Sequence, residues 1–280
     1  MKTLVSVCIP VYNGAPFIKK TIEMVLKQDY ENMEVLVSDN ASTDDTVNEI
    51  KKIKDERVTL FQNETNLGMG GNWNSLIEKA RGEYIIIVCA DDYIFPGAIS
   101  EKAKVLDENS DVVLAFSSSY VVNEKGKKMF KRRPFRGNKK LEKNIFQREL
   151  FVKYNFCAEP PNNMMRKSAM EKTGQFDEQL WYNIDWDYYL RLLNHGNAYY
   201  IDKPLEGFRI SASSATGSSL NGASKILADE NIFISKYKSG NVIQADQSMF
   251  DEREKNVRRR LNKKIFFMKL SGLMSIFKKK

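Results

Sequence analysis

Two adjacent aspartates, Asp91 and Asp92, stand close behind the most apolar run of the sequence, residues 84–88. Their carboxylate oxygens are the ligands that hard divalent cations such as Mg²⁺ and Mn²⁺ prefer. A cation held there could neutralise the charge of a departing diphosphate. The alternative is a structural role, in which an aspartate caps the helix predicted over residues 97–107. Because two carboxylates follow one apolar strand, we favour a metal site.

Further polar residues and glycines follow the other apolar runs of the first half. They are Pro10, Tyr12, Asn13, Asp39, Asn40, Asn66, Gly68, Gly70 and Gly71. An aromatic ring, amides and a carboxylate suit a nucleotide, and glycines let a backbone approach a ligand closely. The alternative for Asp39 and Asn40 is turn or helix-cap chemistry. The glycines do not form the dinucleotide-binding pattern G-x-G-x-x-G.

The elements around these residues must bring the strand ends together. Apolar runs at residues 5–9, 34–37, 58–61 and 84–88 predict strands, and helical periodicity separates them. This alternation predicts an α/β fold with right-handed crossovers and a mostly parallel central sheet covered on both faces. Ligands bind such sheets at the carboxyl ends of the strands, which is where the polar residues fall.

The second half of the chain is less regular. Residues 111–124 and 198–201 predict further strands, and residues 185–195 predict a helix. Residues 125–143 predict a solvated basic loop, and the alternative is that this basic run contacts a pyrophosphate group of a lipid-linked ligand. Residues 211–224 are rich in Ser, Ala and Gly and predict a mobile loop.

The composition excludes several classes of protein. With 280 residues, 42% of them hydrophobic, the chain can bury one sizeable core. Three scattered cysteines indicate reduced thiols and a cytosolic setting. The single histidine, His195, excludes a histidine-based zinc site and a Ser-His-Asp triad. We find neither a secretory leader nor an apolar run approaching the roughly 20 residues of a spanning helix.

The net charge of +8 is unevenly distributed. Residues 125–143 and 253–280 together hold 21 Lys and Arg against two acids, which leaves an acidic body of net charge −11. This distribution argues against nucleic-acid binding. The tail places Phe266, Leu270 and Leu273 at helical spacing among lysines, which predicts a basic amphipathic helix on an anionic membrane. The alternative is a helix packed on the catalytic body.

Five segments, in this order, resemble glycosyltransferase family 2, whose members have the GT-A fold. They are VSVCIPVYNG at 5–14, VLVSDNASTDDT at 35–46, NETNLGMGGNWN at 63–74, ARGEYIIIVCADDYIFPGAI at 80–99 and GQFDEQLWYNIDWDYYLRLLNHG at 174–196. The resemblance implies transfer of a sugar from a nucleotide-diphosphate donor with inversion. It also implies a bacterial setting in which a lipid-linked glycan is extended.

The resemblance implies roles for the residues at the strand ends. Asp92 would bind Mg²⁺ or Mn²⁺ directly, and Asp91 would contact the metal or the ribose. Asp39 would hydrogen-bond the base, usually uracil, and Tyr12 would stack on it. Many family members have a further acid where this chain has Cys89.

The base that deprotonates the acceptor is an Asp or Glu at the start of a helix in this family. The matching residue is Asp185, where the usual Glu-Asp pair is Ile184-Asp185. Asp187 competes, but it would point to another helix face. Arg209 matches a segment that approaches the diphosphate, with Ser211 where the family has His. The alternative for Arg209 is a surface salt bridge.

These expectations define a domain plan. Residues 1–215 form a GT-A catalytic domain with a nucleotide-binding half at 1–110 and an acceptor half at 111–215. Residues 216–280 form a helical basic extension. The expected partners are a nucleotide sugar, which the resemblance implies to be UDP-linked, a lipid-linked or oligosaccharide acceptor and an anionic membrane. The protein is expected in the cytoplasm, on the inner face of the membrane.

Two alternatives stay open on the sequence alone. A nucleotidyltransferase would carry Arg or Lys in a glycine-rich loop after the first strand, where this chain has Asn13-Gly14. A non-catalytic sugar-nucleotide-binding module would tolerate the departures at Cys89 and Ile184. The Gln-x-x-Arg-Trp segment of processive family members is absent, which favours transfer of one sugar per encounter.

Overall fold

A computed structural model describes residues 2–123, 125–209, 223–240 and 242–260. Ten strands in these residues form one mixed sheet. They are β1 Val5–Val11, β2 Met33–Asp39, β3 Val58–Gln62, β4 Tyr84–Ile87, β5 Tyr93–Ile94, β6 Val112–Val122, β7 Lys128–Arg132, β8 Lys139–Leu141, β9 Asn163–Arg166 and β10 Asn197–Arg209.

Helices connect and cover the strands. They are α1 Ile18–Leu26, α2 Thr46–Lys51, α3 Gly68–Ile77, α4 Ala98–Glu108, α5 Lys143–Val152, α6 Lys167–Thr173, α7 Ile184–Leu192, α8 Ala223–Lys238 and α9, residues 247–260. Short 3-10 turns occur at Pro160–Asn162 and Leu193–His195. The predicted alternation of strands and helices in the first half is confirmed.

The sheet has the strand order β3-β2-β1-β4-β9-β6-β10-β5, with β7 beside β6 and β8 beside β10. β1 to β4, β6 and β10 run in one direction, and β9 lies antiparallel between β4 and β6. The predicted mostly parallel sheet is therefore confirmed. In the register of the sheet, Asp39 lies beside both Val11 and Gln62, so the strand ends meet at one edge.

The sheet is buried on both faces, as its continuous apolar strands predict. Val5, Val7 and Ile9 of β1 point to the core under α1 and α4, whereas Cys8 points to the core under α3 and α7. Every residue of β1 is buried. This arrangement fixes the edge that carries the polar residues of β1, β2 and β4.

The prediction of a loop over residues 125–143 is wrong where β7 and β8 form, although both strands are mostly exposed, as a solvated segment would be. β7 pairs with β6, and β8 pairs with β10. Arg132, Arg133 and Lys140 form ion pairs with Glu159, Asp202 and Asp111 respectively. Strands at a sheet edge often carry exposed lysines. Because β7 and β8 have this basic composition, they lack the apolar pattern from which a strand is predicted.

The described part of the predicted C-terminal extension packs on the catalytic body. Phe233 of α8 stacks on Phe151, Tyr237 of α8 contacts the same ring at a tilt, and Arg253 of α9 is fully buried against Glu230. The amphipathic helix predicted around residues 263–280 and most of the predicted loop at 211–224 lie outside the described residues, and the boundary at 215 stays a prediction. No helix in the described ranges is long and apolar enough to cross a bilayer.

Candidate active site

A cavity of about 380 Å³ opens beside the carboxyl end of β4. Asp91 and Asp92 line one part of it, from the turn between β4 and β5. Asp185 enters from the first turn of α7. The structure thus brings Asp185 into one cavity with two adjacent carboxylates that lie more than 90 positions earlier in the sequence.

Asp91 and Asp92 are held by the end of β10. The backbone N–H of Arg209 donates to Asp92 Oδ1 at 3.0 Å, and Arg209 Nε donates to the carbonyl of Asp91 at 2.8 Å. Burial raises the pKa of Asp92 well above its ordinary value, and the neighbouring Asp91 adds to that rise. Burial also raises the pKa of Asp91, although Arg209 opposes it. Crowded carboxylates of this kind favour a bound cation.

The alternative role of the two aspartates as helix caps is not supported. The N-cap of α4 is Gly97, in a left-handed conformation with φ 86°, and no side chain caps this helix. Asp91 and Asp92 instead face the cavity. Their position leaves ligand binding as the function that their chemistry fits.

The two aspartates can hold a metal ion only if a bound substrate and water supply its remaining ligands. Within the described residues, no group of three or more His, Cys, Asp or Glu side chains could hold a metal ion. Burial raises the pKa of the Cys89 thiol well above its ordinary value, so it stays protonated and is a poor ligand. Two carboxylates suit a hard cation that takes its other oxygens from a diphosphate and water.

Asp185 accepts two hydrogen bonds and has a raised pKa. Asn155 Nδ2 donates to its Oδ2 at 3.2 Å, and the N–H of Trp186 donates to its Oδ1 at 2.7 Å. Burial raises the pKa of Asp185 to about 7, with Glu159 contributing to the rise. A carboxylate with a pKa near neutrality suits a general base.

Asp187 has a structural position instead. It is fully buried, and its carboxylate pairs with Arg191 at 2.8 Å and with Lys236 of α8 at 2.9 Å. Tyr237 donates a further hydrogen bond to Asp187 Oδ1. Asp187 therefore ties α7 to α8 and does not line the cavity, in agreement with the predicted helix face.

The base-binding candidates lie at the neighbouring strand ends. Tyr12 is 51% exposed, so its ring face is available for stacking. Asp39 is buried, and its Oδ2 accepts a hydrogen bond from the N–H of Ser42. Its Oδ1 has no hydrogen-bond partner in the described chain. A buried acceptor without a donor is uncommon and fits a donor supplied by a ligand.

Asn13 organises the turn after β1. It has φ 50°, and its Oδ1 accepts the N–H of Thr43 at 2.8 Å while its own N–H donates to Ser42 Oγ. Ser42 and Thr43 thus hold the turn after β1, while the first N–H of α2, that of Thr46, donates to Asp44. Pro10, within β1, is buried at the same edge.

The side chains of Asn40 and Asn66 form hydrogen bonds between the segment that follows β2 and the segment that follows β3. Asn40 Nδ2 donates to Asn66 Oδ1 at 3.0 Å and to the carbonyl of Gly68 at 3.1 Å, and Asn40 Oδ1 accepts the N–H of Leu67. These residues hold the loop beside Asp39 and do not line the cavity. Arg209 also lies outside the lining, buried against Phe17 and Tyr93.

Several cavity residues were missed in the sequence. Arg132 and Glu159 form an ion pair in the lining, with Arg132 Nη1 donating to Glu159 Oε1 at 2.8 Å. The C-terminal helices add a second group, Ile226, Glu230, Val257 and Arg260. Arg132 stands among ten basic residues of one segment, and nothing in the spacing singles it out.

The fold is that of the GT-A glycosyltransferases, and the family follows from the sequence. The sequence model of glycosyl transferase family 2 matches residues 6–174, and the chain belongs to that family. An uncharacterized glycosyltransferase of Methanocaldococcus jannaschii is 32% identical over 69% of this chain and 65% of its own length. A UDP-Glc:alpha-D-GlcNAc-diphosphoundecaprenol beta-1,3-glucosyltransferase of Escherichia coli is 36% identical over 42% of this chain and 47% of its own length.

Solved structures show the same fold. TarS 1–349 of S. aureus in complex with UDP-GlcNAc superposes with a TM-score of 0.64 at 22% identity, over 78% of this chain and 61% of that chain. A mannosyltransferase of Pyrobaculum calidifontis in complex with GDP-Man and Mn²⁺ superposes with a TM-score of 0.61 at 17% identity, over 93% and 70%. The chain thus spans less than two thirds of the length of TarS 1–349 and of the Methanocaldococcus jannaschii relative.

Proposed function

We propose that this protein transfers one sugar, with inversion, from a UDP-sugar to a lipid-linked glycan acceptor. The observation that carries the proposal is the shared cavity of Asp91, Asp92 and Asp185. It offers a place for a diphosphate on one side and a base for an incoming hydroxyl on the other. The family membership supports sugar transfer as the reaction.

Asp185 would accept the proton of the acceptor hydroxyl as its oxygen bonds to the anomeric carbon. The bond between that carbon and the diphosphate oxygen breaks in the same step, on the opposite face, so the configuration inverts. Asp91 and Asp92 would hold a divalent cation, which supplies neutralising charge to the leaving diphosphate. Asp39 Oδ1 would accept an N–H of the base, and Tyr12 would stack on it.

The relatives support the substrate classes without fixing them. The Escherichia coli relative is named for a UDP-glucose donor and a diphosphoundecaprenol-linked acceptor. TarS binds UDP-GlcNAc, whereas the archaeal mannosyltransferase binds GDP-Man with Mn²⁺. We propose UDP because a carboxylate oxygen of Asp39 without a partner fits the single N–H of uracil. The proposed setting is the inner face of the cell membrane, in surface polysaccharide synthesis.

A donor panel tests the proposal. UDP- and GDP-sugars are incubated with Mn²⁺ and a diphosphate-linked sugar acceptor, and nucleotide release is measured for wild type and Asp185→Asn. We expect turnover with a UDP-sugar and a fall of about 10²–10⁴-fold in kcat for the variant, with donor binding retained. Asp251→Asn, an exposed change on α9, is the matched control.

The other outcomes identify the alternatives. Donor binding without turnover by the wild type would indicate a non-catalytic binding module. Release of pyrophosphate from a nucleoside triphosphate and a sugar phosphate would indicate a nucleotidyltransferase. Full activity of Asp185→Asn would refute the assignment of the base.

A further inference from the structure

The cavity contains two guanidinium groups in the described chain, and only one of them has an ionic partner. Arg132 is ion-paired with Glu159. Arg260 lies within ion-pair distance of no carboxylate of the described residues. The C-terminal helices add one acid to the lining, Glu230. It is ion-paired with Arg253 through hydrogen bonds of 2.5 and 3.0 Å. Arg260 therefore brings to the cavity a guanidinium that forms no ion pair with a described carboxylate, although Glu230 lies near enough to favour its charge.

Arg260 is held in place with most of its donors unused. Its guanidinium lies 5.2 Å from the ring centre of Trp186, and Nη1 donates to the carbonyl of Lys153. A guanidinium has five N–H groups, and this is its single hydrogen bond to the described chain. Burial and the like charge of Arg253 lower its pKa, but an arginine remains a cation.

The position of Arg260 relates it to the acceptor more than to the donor. Trp186, on which it packs, follows the base Asp185 directly in α7. Asp91 and Asp92, the candidate diphosphate-holding residues, belong to a different part of the lining at the end of β4. Apolar side chains of Ile226 and Val257 line the cavity from the same helical pair as Arg260.

We propose that Arg260 binds a phosphate group of the acceptor, a sugar carried on a lipid phosphate or diphosphate. This proposal rests on the proposed sugar transfer. A sugar whose hydroxyl reaches Asp185 has its phosphate one ring away, and a guanidinium further along the same wall can donate two hydrogen bonds to it. The apolar residues beside it suit the first carbons of the lipid.

Two acceptors that carry the same sugar test the proposal. One is a neutral alkyl glycoside, and in the other a diphosphate joins that sugar to the alkyl chain. For Arg260→Met we expect kcat/KM with the diphosphate acceptor to fall about 10–100-fold, as for loss of a charge-assisted pair. Activity with the neutral glycoside and the KM of the donor should be unchanged. Arg260→Lys should recover part of the loss. Arg258→Met is the control, because Arg258 is exposed on the same helix and paired with Glu254.

Three results would overturn the proposal. An equal fall with both acceptors would mean that Arg260 only supports the fold. A raised donor KM would assign Arg260 to the donor diphosphate. A wild type that uses both acceptors equally would show that no phosphate is recognised.

A binding measurement keeps the test independent of turnover. If the wild type transfers to neither acceptor, the proposed function fails, and inorganic pyrophosphate without metal decides the role of Arg260. Pyrophosphate should raise the unfolding temperature of the wild type more than that of Arg260→Met. Equal stabilisation of the two would refute an anion site at Arg260.

Discussion

The carboxyl group of Asp185 has a pKa of about 7, because it is buried and because Glu159 places a second negative charge nearby. A base works only when it is deprotonated, so a raised pKa removes activity as the pH falls. We expect kcat/KM to drop about tenfold per pH unit below pH 7. An aspartate with an ordinary pKa near 4 would give a flat profile down to about pH 5. A pH series from 5 to 9 measures the difference.

Glu159→Gln tests the cause of the raised pKa. The change removes the like charge and leaves Arg132 without its partner, and both effects lower the pKa of Asp185. The acidic limb should therefore move to lower pH, while Glu171→Gln, an exposed change elsewhere, should leave it in place. A limb that moves to higher pH in Glu159→Gln would contradict the assignment of Asp185 as the group that titrates.

At the scale of the element, α8 anchors the segment that leads into α7. Asn183, the N-cap residue of α7, makes no side-chain cap hydrogen bond. Asp229 of α8 accepts the N–H groups of Trp181, Tyr182 and Asn183, which precede the first turn of the helix. The carboxylate of Asp229 near the helix N-terminus also interacts favourably with the helix dipole. The C-terminal helices therefore position the helix that starts with Ile184 and Asp185.

Asp229→Ala should loosen this attachment. Buried N–H groups would lose a charged acceptor, so we expect the free energy of unfolding to fall by about 3 kcal/mol. We also expect kcat to fall more than the donor KM rises. The change would displace Asp185 in the first turn of α7, whereas the strand ends proposed to bind the donor would stay in place. Thermal unfolding and steady-state kinetics measure both effects. Asp251→Ala on α9 is the exposed control, and unchanged unfolding of Asp229→Ala would show that the contact is dispensable.

At the scale of the whole molecule, the C-terminal region divides into two parts with different consequences. Residues 223–260 supply buried side chains such as Phe233, Tyr237 and Arg253. Residues 261–280 contain six lysines and no acid. We predict that the first part is needed for the fold and the second for attachment to an anionic membrane, where each lysine contributes about 1 kcal/mol.

Two truncations test this division. The chain ending at residue 260 should keep its unfolding temperature and lose flotation with vesicles that contain phosphatidylglycerol, whereas the full chain floats with them and not with phosphatidylcholine vesicles. The chain ending at residue 222 should not fold, because it exposes the core under α8. Flotation of the chain ending at 260 as strong as that of the full chain would place the membrane contact elsewhere.

The sequence by itself determined the first half of the fold. Continuous apolar runs alternate with helical spacing there, and this local pattern fixes a parallel sheet whose polar strand ends meet at one edge. Asp39 ends β2, and Asp91 and Asp92 lie in the turn after β4, so their place at that edge was predictable. The resemblance added Asp185, which the tertiary structure brings into the same cavity.

Only the tertiary structure decided the side of the cavity that lies away from the end of β4. Arg132 comes from an edge strand, Glu159 from an irregular segment and Arg260 from the last described helix. Asp229 acts on a loop 46 to 48 positions earlier in the chain. No local periodicity marks such residues, because their roles depend on which distant surfaces pack together. Pairings over long sequence separations are set by the burial of the whole core, and short stretches of sequence do not encode them.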